Sequence, residues 1–359
     1  MAVHFHSLKV KEVKKETPDC VSILFDVSPE LENEFRFTQG QNLTIRMNMD
    51  GEEIRRSYSI CSAPYERELR VAVKKADNGK FSTFANGFLQ EGAFLDVLPP
   101  TGKFNTTLDA GNKKSYLAIA AGSGITPIIS IIKTTLHTEP QSNFTLVYGN
   151  RSRNSIVFFE ELEGLKNTFM NRFNLVNILS REKTDATINF GRIDDGKLRD
   201  LGKLINYKEA DDIFICGPEE MIFCVKRFLE EQQVDQKNIH FELFTTPGQS
   251  NITPRKAQPV ADGNAKSRIT IKLDGRSIDF DLAFSNDTSI LDAALQEGAD
   301  LPFACKGGVC CTCKAKLVEG EVVMDANWGL EHEEVEKGFI LTCQSHPLTE
   351  RIVVDFDVR

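Results

Sequence analysis

Short apolar runs alternate with turn residues over the first hundred positions of the chain. Val21–Phe25, Leu43–Arg46 and Leu69–Val73 are short runs typical of β-strands, and turn signals such as Asp77-Asn78-Gly79 occur between or after such runs. Closely spaced strands of this kind predict an antiparallel β-barrel. We place this domain at residues 1–108, because the barrel pattern ends at Pro99-Pro100-Thr101-Gly102.

The pattern changes near residue 112, where continuous apolar strands begin to alternate with helices. The predicted strands are Tyr116–Ala120, Phe144–Tyr148, Phe173–Leu179 and Asp212–Cys216, and the predicted helices are Ile128–Leu136, Phe158–Leu165 and Glu219–Gln232. Buried strands that alternate with helices predict an α/β domain with a parallel sheet. We assign residues 112–246 to it.

Residues 247–266 show no hydrophobic periodicity and contain Pro254, Pro259 and Gly263, which predicts an extended inter-domain linker. Residues 267–359 form a third predicted domain of mixed α+β type. Its predicted elements are strands at Ile269–Leu273, Ser277–Phe280 and Ile352–Asp355, and a helix near Ser289–Glu297.

Composition narrows the class of protein. A chain of 359 residues with a net charge of −9 argues against a nucleic-acid binder, which would show a basic stripe, and fits either colloidal solubility or a basic protein partner. The long uncharged stretch at 116–132 is interrupted by Gly122-Ser123-Gly124 and by Thr126-Pro127, which argues against a membrane span. The N-terminal residues lack the regions of a signal peptide, so we expect a cytoplasmic protein with reduced thiols.

Four of the nine cysteines have the spacing of an iron–sulfur site. Cys305 and Cys310 are separated by four residues, Cys310 and Cys313 by two, and Cys343 follows after 29. This is the plant-type [2Fe–2S] spacing. Gly307 and Gly308, which have no Cβ, allow the backbone to approach the cluster. The alternative is a Zn(Cys)₄ site, but zinc ribbons pair their cysteines and Cys343 has no neighbouring cysteine.

Two segments of the barrel have the chemistry of flavin binding. Arg56-Ser57-Tyr58-Ser59, placed just after a strand, offers a guanidinium for a pyrophosphate, an aromatic face and a hydroxyl donor. Gly79-Lys80-Phe81-Ser82 opens a short helix whose N-terminus suits a diphosphate. We add Val73 and Lys74 to the predicted flavin site. The alternatives are a strand end with a surface arginine, and ordinary helix capping by Ser82.

Two turns in the α/β domain are candidates for binding a nicotinamide nucleotide. The first contains Gly122, Gly124, Thr126 and Pro127 between a strand and a helix, and the second is Cys216-Gly217-Pro218 at another strand end. Ligands of open α/β sheets bind outside the carboxyl ends of the strands, where both turns are expected. A plain strand–helix turn is the alternative, since the first turn is not a full G-x-G-x-x-G sequence.

With these motifs in order, nearly the whole chain resembles the ferredoxin–NADP⁺ reductase superfamily fused to a plant-type ferredoxin. The resemblance implies FAD, NADPH (or NADH) and a [2Fe–2S] cluster as cofactors, and a β-grasp-like fold for the third domain. The domain order is similar to that of reductase components of bacterial oxygenases. The resemblance therefore implies electron transfer from NAD(P)H to an oxygenase partner, which could include ring-hydroxylating or steroid oxygenases.

The resemblance also implies roles for individual residues. His240-Phe241-Glu242-Leu243-Phe244 looks like the family's terminal Glu and aromatic, so Ser59, Cys216 and Glu242 are predicted at the reaction site and Phe244 near the flavin. Ser180-Arg181-Glu182 is similar to the segment that binds the adenosine 2′-phosphate, and Arg153 is predicted to assist. These residues favour NADPH over NADH, unless Arg181 is a solvated loop residue.

The sequence departs from the family at two positions. Ala121 stands where the family often has Gly, and Phe244 continues into the predicted linker. Two rival functions remain: a flavin enzyme that acts directly on a small molecule, and a zinc-stapled binding protein. Trp328 and the acidic Glu331–Glu334 run are either a docking face or an ordinary solvated surface.

Overall fold

The computed structural model describes residues 4–244, 266–284 and 287–358. Contacts divide the chain into two compact units. Of the described residues, the larger unit contains 6–54 and 58–243, and the smaller unit contains 4–5, 55–57, 244, 266–284 and 287–358. The predicted linker lies outside the described residues apart from Lys266, where a strand begins.

The barrel consists of one six-stranded antiparallel sheet, with strand order β4-β3-β6-β1-β2-β5. An isolated antiparallel bridge between Ile60 and Val71 joins the two ends of this order, as expected for a barrel. Its elements are β1 (His6–Thr17), β2 (Cys20–Asp26), β3 (Asn42–Met49), β4 (Glu52–Ser59), β5 (Leu69–Lys74), α1 (Lys80–Gly87) and β6 (Phe94–Val97).

Two details of the barrel differ from the sequence prediction. Strand β1 was not predicted, because charged residues occupy many of its twelve positions and only Leu8 and Val10 are buried apolar residues within it. Arg56-Ser57-Tyr58-Ser59 was predicted to follow a strand, but these residues form the last half of β4. Ser59 is therefore fixed by its position at the end of a strand, and its side chain is buried.

The α/β domain contains a five-stranded parallel sheet, as predicted, with strand order β11-β10-β7-β8-β9. The chain direction across the sheet reverses between β7 and β10, which is the switch point where ligands of such sheets bind. Its elements are β7 (Ser115–Ala121), α2 (Ile125–Thr138), β8 (Asn143–Asn150), α3 (Phe159–Thr168), β9 (Phe173–Leu179), α4 (Asp195–Leu201), β10 (Asp212–Cys216), α5 (Glu219–Glu231) and β11 (Ile239–Glu242).

The barrel and the α/β domain share part of one apolar core. Cys61 and Ala72 of the barrel belong to the same buried cluster as Ile128 and Ile132 of α2. Gly40 of the barrel has a positive φ of 82°, and a Cβ there would lie 3.2 Å from Cδ1 of Ile131 in α2. The two domains therefore pack closely within the larger unit.

The smaller unit has a mixed five-stranded sheet with strand order β13-β12-β18-β14-β16, and a two-stranded sheet of β15 and β17. Its core is built around the sheet and α6 and includes Ile269, Leu291 and Ile352. The predicted α+β class is confirmed. Its elements are β12 (Lys266–Leu273), β13 (Arg276–Ala283), α6 (Ile290–Gln296), β14 (Lys314–Glu319), β15 (Val322–Met324), α7 (His332–Glu336), β16 (Phe339–Leu341), β17 (Ser345–Pro347) and β18 (Arg351–Asp355).

Among the described residues, we find no helix with the length and apolar character that crossing a membrane requires.

Candidate functional site

The two predicted nucleotide turns touch each other at the carboxyl edge of the parallel sheet. Gly124 packs so closely on the second turn that a Cβ would overlap the carbonyl group of Cys216. A Cβ on Gly217 would lie 3.1 Å from the amide nitrogen of Ala121. The close approach of the two backbones therefore requires glycine at position 124, and it leaves little room for a side chain at position 217.

The first turn leads directly into α2, and its backbone is fixed by side chains. The hydroxyl of Tyr148, a fully buried residue of β8, donates to the carbonyl oxygen of Gly122 at 2.9 Å, and Thr126 Oγ1 donates to Ser123 at 3.0 Å. Gly122 has a positive φ of 56°. This arrangement leaves the N-terminus of a 14-residue helix at the switch point, which suits a pyrophosphate. Sequence reasoning missed Tyr148 because its partner is 26 residues away.

The three residues predicted to be catalytic lie together. Ser59 Oγ donates to Glu242 Oε2 at 3.1 Å, although the two residues are 183 positions apart. Cys216 and Glu242 are direct partners in the parallel pairing of β10 with β11. The end of the barrel strand β4 therefore meets the ends of two strands of the nucleotide domain.

Burial keeps Glu242 and Cys216 in their uncharged forms. It raises the pKa of Glu242 to about 8, and the hydrogen bond from Ser59 partly opposes this rise. Burial, and then the neighbouring Glu242, raise the pKa of the Cys216 thiol well above its usual range. Glu242 is therefore largely protonated at neutral pH, which is the state in which a carboxylic acid can donate a proton or a hydrogen bond.

The predicted flavin residues of the barrel have mixed environments. Arg56 is exposed, and its Nη1 donates to the carbonyl oxygen of Arg55 at 2.7 Å. The rings of Tyr58 and Phe81 lie 5.5 Å apart, which brings β4 and α1 together. Ser82 Oγ accepts from the amide of Ala76 at 3.1 Å and donates to Gly79 at 3.2 Å, so this hydroxyl closes its own turn.

Val73 and Lys74 end the strand that precedes this turn. Val73 is buried, and its carbonyl oxygen accepts from Asn86 of α1 at 3.0 Å. Lys74 forms an ion pair with Asp19 at 3.5 Å, and Lys80 pairs with Glu52. Phe244 follows β11 by two residues and is exposed.

The residues predicted to recognise the 2′-phosphate lie on adjacent loops. The amide of Ser180 donates to Asn150 at 2.9 Å, and the amide of Arg181 donates to Arg151 at 2.8 Å. The amide of Arg153 donates to the carboxylate of Glu182 at 2.8 Å. Arg153 and Arg181 are exposed, so two guanidinium groups are available near the ends of β8 and β9.

The four predicted cluster ligands form two pairs. The thiols of Cys305 and Cys310 are hydrogen-bonded to each other, and so are those of Cys313 and Cys343. The amide and hydroxyl of Thr342 both donate to the carbonyl oxygen of Cys313, at 3.3 and 3.0 Å. These bonds hold Cys343 beside the ligand loop.

The chemistry of the four donors fits a two-iron cluster. Iron–sulfur clusters of the [2Fe–2S] type are held by four cysteine thiolates, two on each iron. Cys305, Cys310, Cys313 and Cys343 provide four free thiols.

The loop also provides donors for sulfur. The amide of Gly307 donates to Cys305 Sγ at 3.3 Å. The hydrogen bond from Cys310, and then the backbone amides of the loop, lower the pKa of Cys305 to about 5. Cys311 has a positive φ of 55°, and its thiol donates to the carbonyl oxygen of Gly329 at 2.7 Å. That Cys311 is not a cluster ligand stays a prediction.

Comparisons with known families agree with this architecture. The FAD-binding domain of oxidoreductases matches residues 7–106, the oxidoreductase NAD-binding domain matches 118–227, and the 2Fe-2S iron-sulfur cluster binding domain matches 271–348. Phthalate dioxygenase reductase has the same fold, with a TM-score of 0.59 and 24% identity over 98% of both chains. The chain belongs to the ferredoxin–NADP⁺ reductase-like flavoproteins that carry a [2Fe–2S] ferredoxin domain.

Curated relatives match along the whole chain. A component of the 1,2-phenylacetyl-CoA epoxidase of Escherichia coli is 46% identical over 99% of this chain and 98% of its own. The ferredoxin reductase component of 3-ketosteroid-9-alpha-monooxygenase from Rhodococcus rhodochrous is 31% identical over 97% and 96%. The protein is an iron–sulfur flavoprotein oxidoreductase whose cofactors are FAD, a nicotinamide nucleotide and a [2Fe–2S] cluster.

Proposed function

We propose that this chain is the reductase component of an oxygenase system of the phenylacetyl-CoA epoxidase type, and so takes part in phenylacetate catabolism. The 46% identity to the epoxidase component covers all three domains and supports this choice. The contact between Ser59 and Glu242 carries the proposal at the level of chemistry, because it joins the flavin-side strand to the nicotinamide-side sheet.

In this proposal bound FAD would supply the change from two-electron chemistry with NAD(P)H to one-electron chemistry, and a bound [2Fe–2S] cluster would supply one-electron transfer toward the oxygenase. The chain's own residues bind and orient these groups. Gly122, Gly124, Thr126 and Pro127, with Gly217 and Pro218 of the second turn, hold the coenzyme pyrophosphate at the start of α2.

The flavin side is held by the barrel. Arg56 pairs with the flavin pyrophosphate, Tyr58 packs on the ring system, and the start of α1 at Gly79–Ser82 supplies amides for the diphosphate. Ser59, Cys216 and Glu242 line the place where the two ring systems meet. The protonated carboxyl of Glu242 holds a proton there, and Ser59 orients that carboxyl through their 3.1 Å hydrogen bond.

Cys305 and Cys310 would hold one iron of the cluster, and Cys313 and Cys343 would hold the other, an assignment that the two thiol pairs support. The exposed Arg153 and Arg181 favour NADPH, because guanidinium groups bind a 2′-phosphate with two parallel hydrogen bonds. The pairing of the iron ligands and the preference for NADPH are both part of what we propose.

The test uses the purified, fully loaded protein. NADPH added without oxygen should bleach both the flavin and the iron–sulfur absorption, and the reduced protein should support turnover by the oxygenase components of phenylacetyl-CoA epoxidase. The oxygenase of a 3-ketosteroid-9-alpha-monooxygenase system serves as the matched control acceptor. Equal support of both oxygenases would contradict the assigned partner, and bleaching without transfer to either would favour a stand-alone flavin oxidoreductase.

A further inference from the structure

One face of α2 makes three consecutive contacts with a single segment of the barrel. Ser130 Oγ donates to the carbonyl oxygen of Ser62 at 2.6 Å, and Lys133 Nζ donates to Glu66 Oε2 at 2.8 Å. One turn further on, the ring of His137 stacks on that of Tyr65 at 4.1 Å. Positions 130, 133 and 137 lie on one side of a helix, so the contacts form a continuous row.

Both partners in this row of contacts, α2 and the barrel segment, lead to the proposed reaction site. The first turn of α2 contains Thr126 and Pro127 of the nucleotide turn, one turn before Ser130. The barrel segment 62–66 follows closely after Ser59, which ends β4 and bonds to Glu242. Helix α2 thus connects the nucleotide turn to the barrel segment that follows Ser59.

The row includes a buried positive charge, which favours one placement of α2 on the barrel. Lys133 is only 5% exposed and is held between Glu66 of the barrel at 2.8 Å and Glu161 of α3 at 2.7 Å. Burial lowers the pKa of Lys133, but the two carboxylates raise it above its ordinary value, so the ammonium stays charged. A buried charge of this kind favours one arrangement of its partners, because displacing either partner leaves it poorly solvated.

We propose that Ser130 and Lys133 are positioning residues for hydride transfer, which set the placement of the nicotinamide side against the flavin side by fixing α2 to barrel residues 62–66. The inference rests on the proposed function, since it assumes that the coenzyme binds at the start of α2. Hydride transfer depends steeply on the distance between the reacting atoms, and a shift of about 1 Å can cost about a hundredfold in rate. A small slip of α2 along the barrel would therefore reduce the rate without loss of either cofactor.

Lys133 provides its own matched pair of variants. Glu66→Gln weakens the contact between the domains, and Glu161→Gln weakens a contact within the nucleotide domain; each leaves Lys133 with one carboxylate. The side-chain amide oxygen introduced by Glu66→Gln can still accept from the amide of Ala63, as the carboxylate of Glu66 does at 2.6 Å. A second pair is Ser130→Ala against Thr134→Val, because Thr134 donates within α2 to the carbonyl of Ser130 at 2.7 Å.

The measurement is the rate of flavin reduction at saturating NADPH, followed by stopped flow with the loaded protein. We expect the rate of flavin reduction to fall about tenfold in E66Q and S130A. Both variants should keep their full FAD content and an unchanged KM for NADPH. NADPH deuterated at C4 should be oxidised more slowly, which shows that hydride transfer limits the measured rate. E161Q and T134V should stay within about twofold of the wild type, and K133R should keep most of the rate that K133M loses.

Equal rates in E66Q and E161Q, or a loss in E66Q that appears only in KM, would overturn the proposal. If E66Q does not fold, the comparison of S130A with T134V decides in the same way. A wild-type protein that NADPH and NADH both fail to reduce would instead refute the proposed function, so the two failures are distinguishable.

Discussion

The hydroxyl of Ser59 lies 3.1 Å from Glu242 Oε2, and its hydrogen bond opposes the rise that burial causes in the pKa of this carboxyl. The two residues come from opposite sides of the proposed reaction site, one from the barrel and one from the last strand of the parallel sheet. Their bond makes the protonation of the site depend on how the two domains meet.

The free energy of unfolding should depend on pH through Glu242. The pKa of Glu242 is raised from 4.5 to about 8 in the folded protein, so the folded state binds this proton more tightly than the unfolded state. The stabilisation from this proton is fully present below about pH 4.5 and is lost as the pH rises through 8. The flavin-free wild type should therefore lose on the order of a few kcal/mol between pH 5 and pH 9, relative to Glu242→Gln. Calorimetric Tm values at several pH values measure this difference, and parallel curves for the two proteins would contradict the raised pKa.

Ser59→Ala gives a second, independent test of the same site. Removing the hydrogen bond that lowers the pKa of Glu242 should raise that pKa further, so the loss of stability moves to higher pH. Ser57→Ala, two residues earlier in β4, is the control variant. The comparison fails if both alanine variants shift the pH curve equally.

The cysteine assignment predicts which acceptors each variant can reduce. Cys305→Ser should lose the iron–sulfur absorption and reduce cytochrome c only at background rates, yet it should still reduce ferricyanide from the flavin. Cys311→Ser is the matched control, because this thiol donates to Gly329 and a serine keeps a donor there. Loss of both activities in Cys305→Ser would refute this division of labour.

The two glycines of the first nucleotide turn should respond differently to alanine. In Gly124→Ala the new Cβ overlaps the backbone of Cys216, which should cost about 1–3 kcal/mol and weaken coenzyme binding. In Gly122→Ala the Cβ meets open space and only the positive φ of 56° is unfavourable, at about 1 kcal/mol. Urea unfolding and the KM for NADPH measure both effects, and a reversed order would contradict the contact between the turns.

Coenzyme choice is predicted to depend on Arg181. Arg181→Ala should raise the KM for NADPH about tenfold and leave the KM for NADH nearly unchanged, because the charge-assisted hydrogen bonds to the 2′-phosphate are lost. Lys183→Ala, at an exposed cation two residues away, controls for general charge. Equal increases for both coenzymes would show that Arg181 does not read the 2′-phosphate.

Much of the fold could be predicted from local sequence. Strands that are buried on both faces need no polar face, so they appear in the sequence as nearly continuous apolar runs. Tyr116–Ala120 and, after its first residue, Asp212–Cys216 are runs of this kind, and the structure confirms both strands. Strand β1 could not be predicted in this way, since its lysines and glutamates hide the alternation of Leu8 and Val10. The short β11 was also missed, as its four residues are all half-buried and give no apolar run.

The candidate site shows the same limit. The resemblance to the family predicted Ser59, Cys216 and Glu242 as site residues from three separate segments, and the cysteine spacing indicated the cluster. No local pattern could indicate that Tyr148 fixes Gly122, or that Lys133 joins Glu66 to Glu161, because these partners are 26 to 67 residues apart. Such pairings are set by how the sheet and the barrel pack, which a single sequence does not display.

The core shared by Cys61, Ala72, Ile128 and Ile132 has a consequence for engineering. A chimera that combined the barrel of one relative with the nucleotide domain of another would bring together two half-cores that had not evolved with each other. A chimera should therefore take both domains from the same relative, or the apolar residues at the contact between the two domains should be redesigned as well.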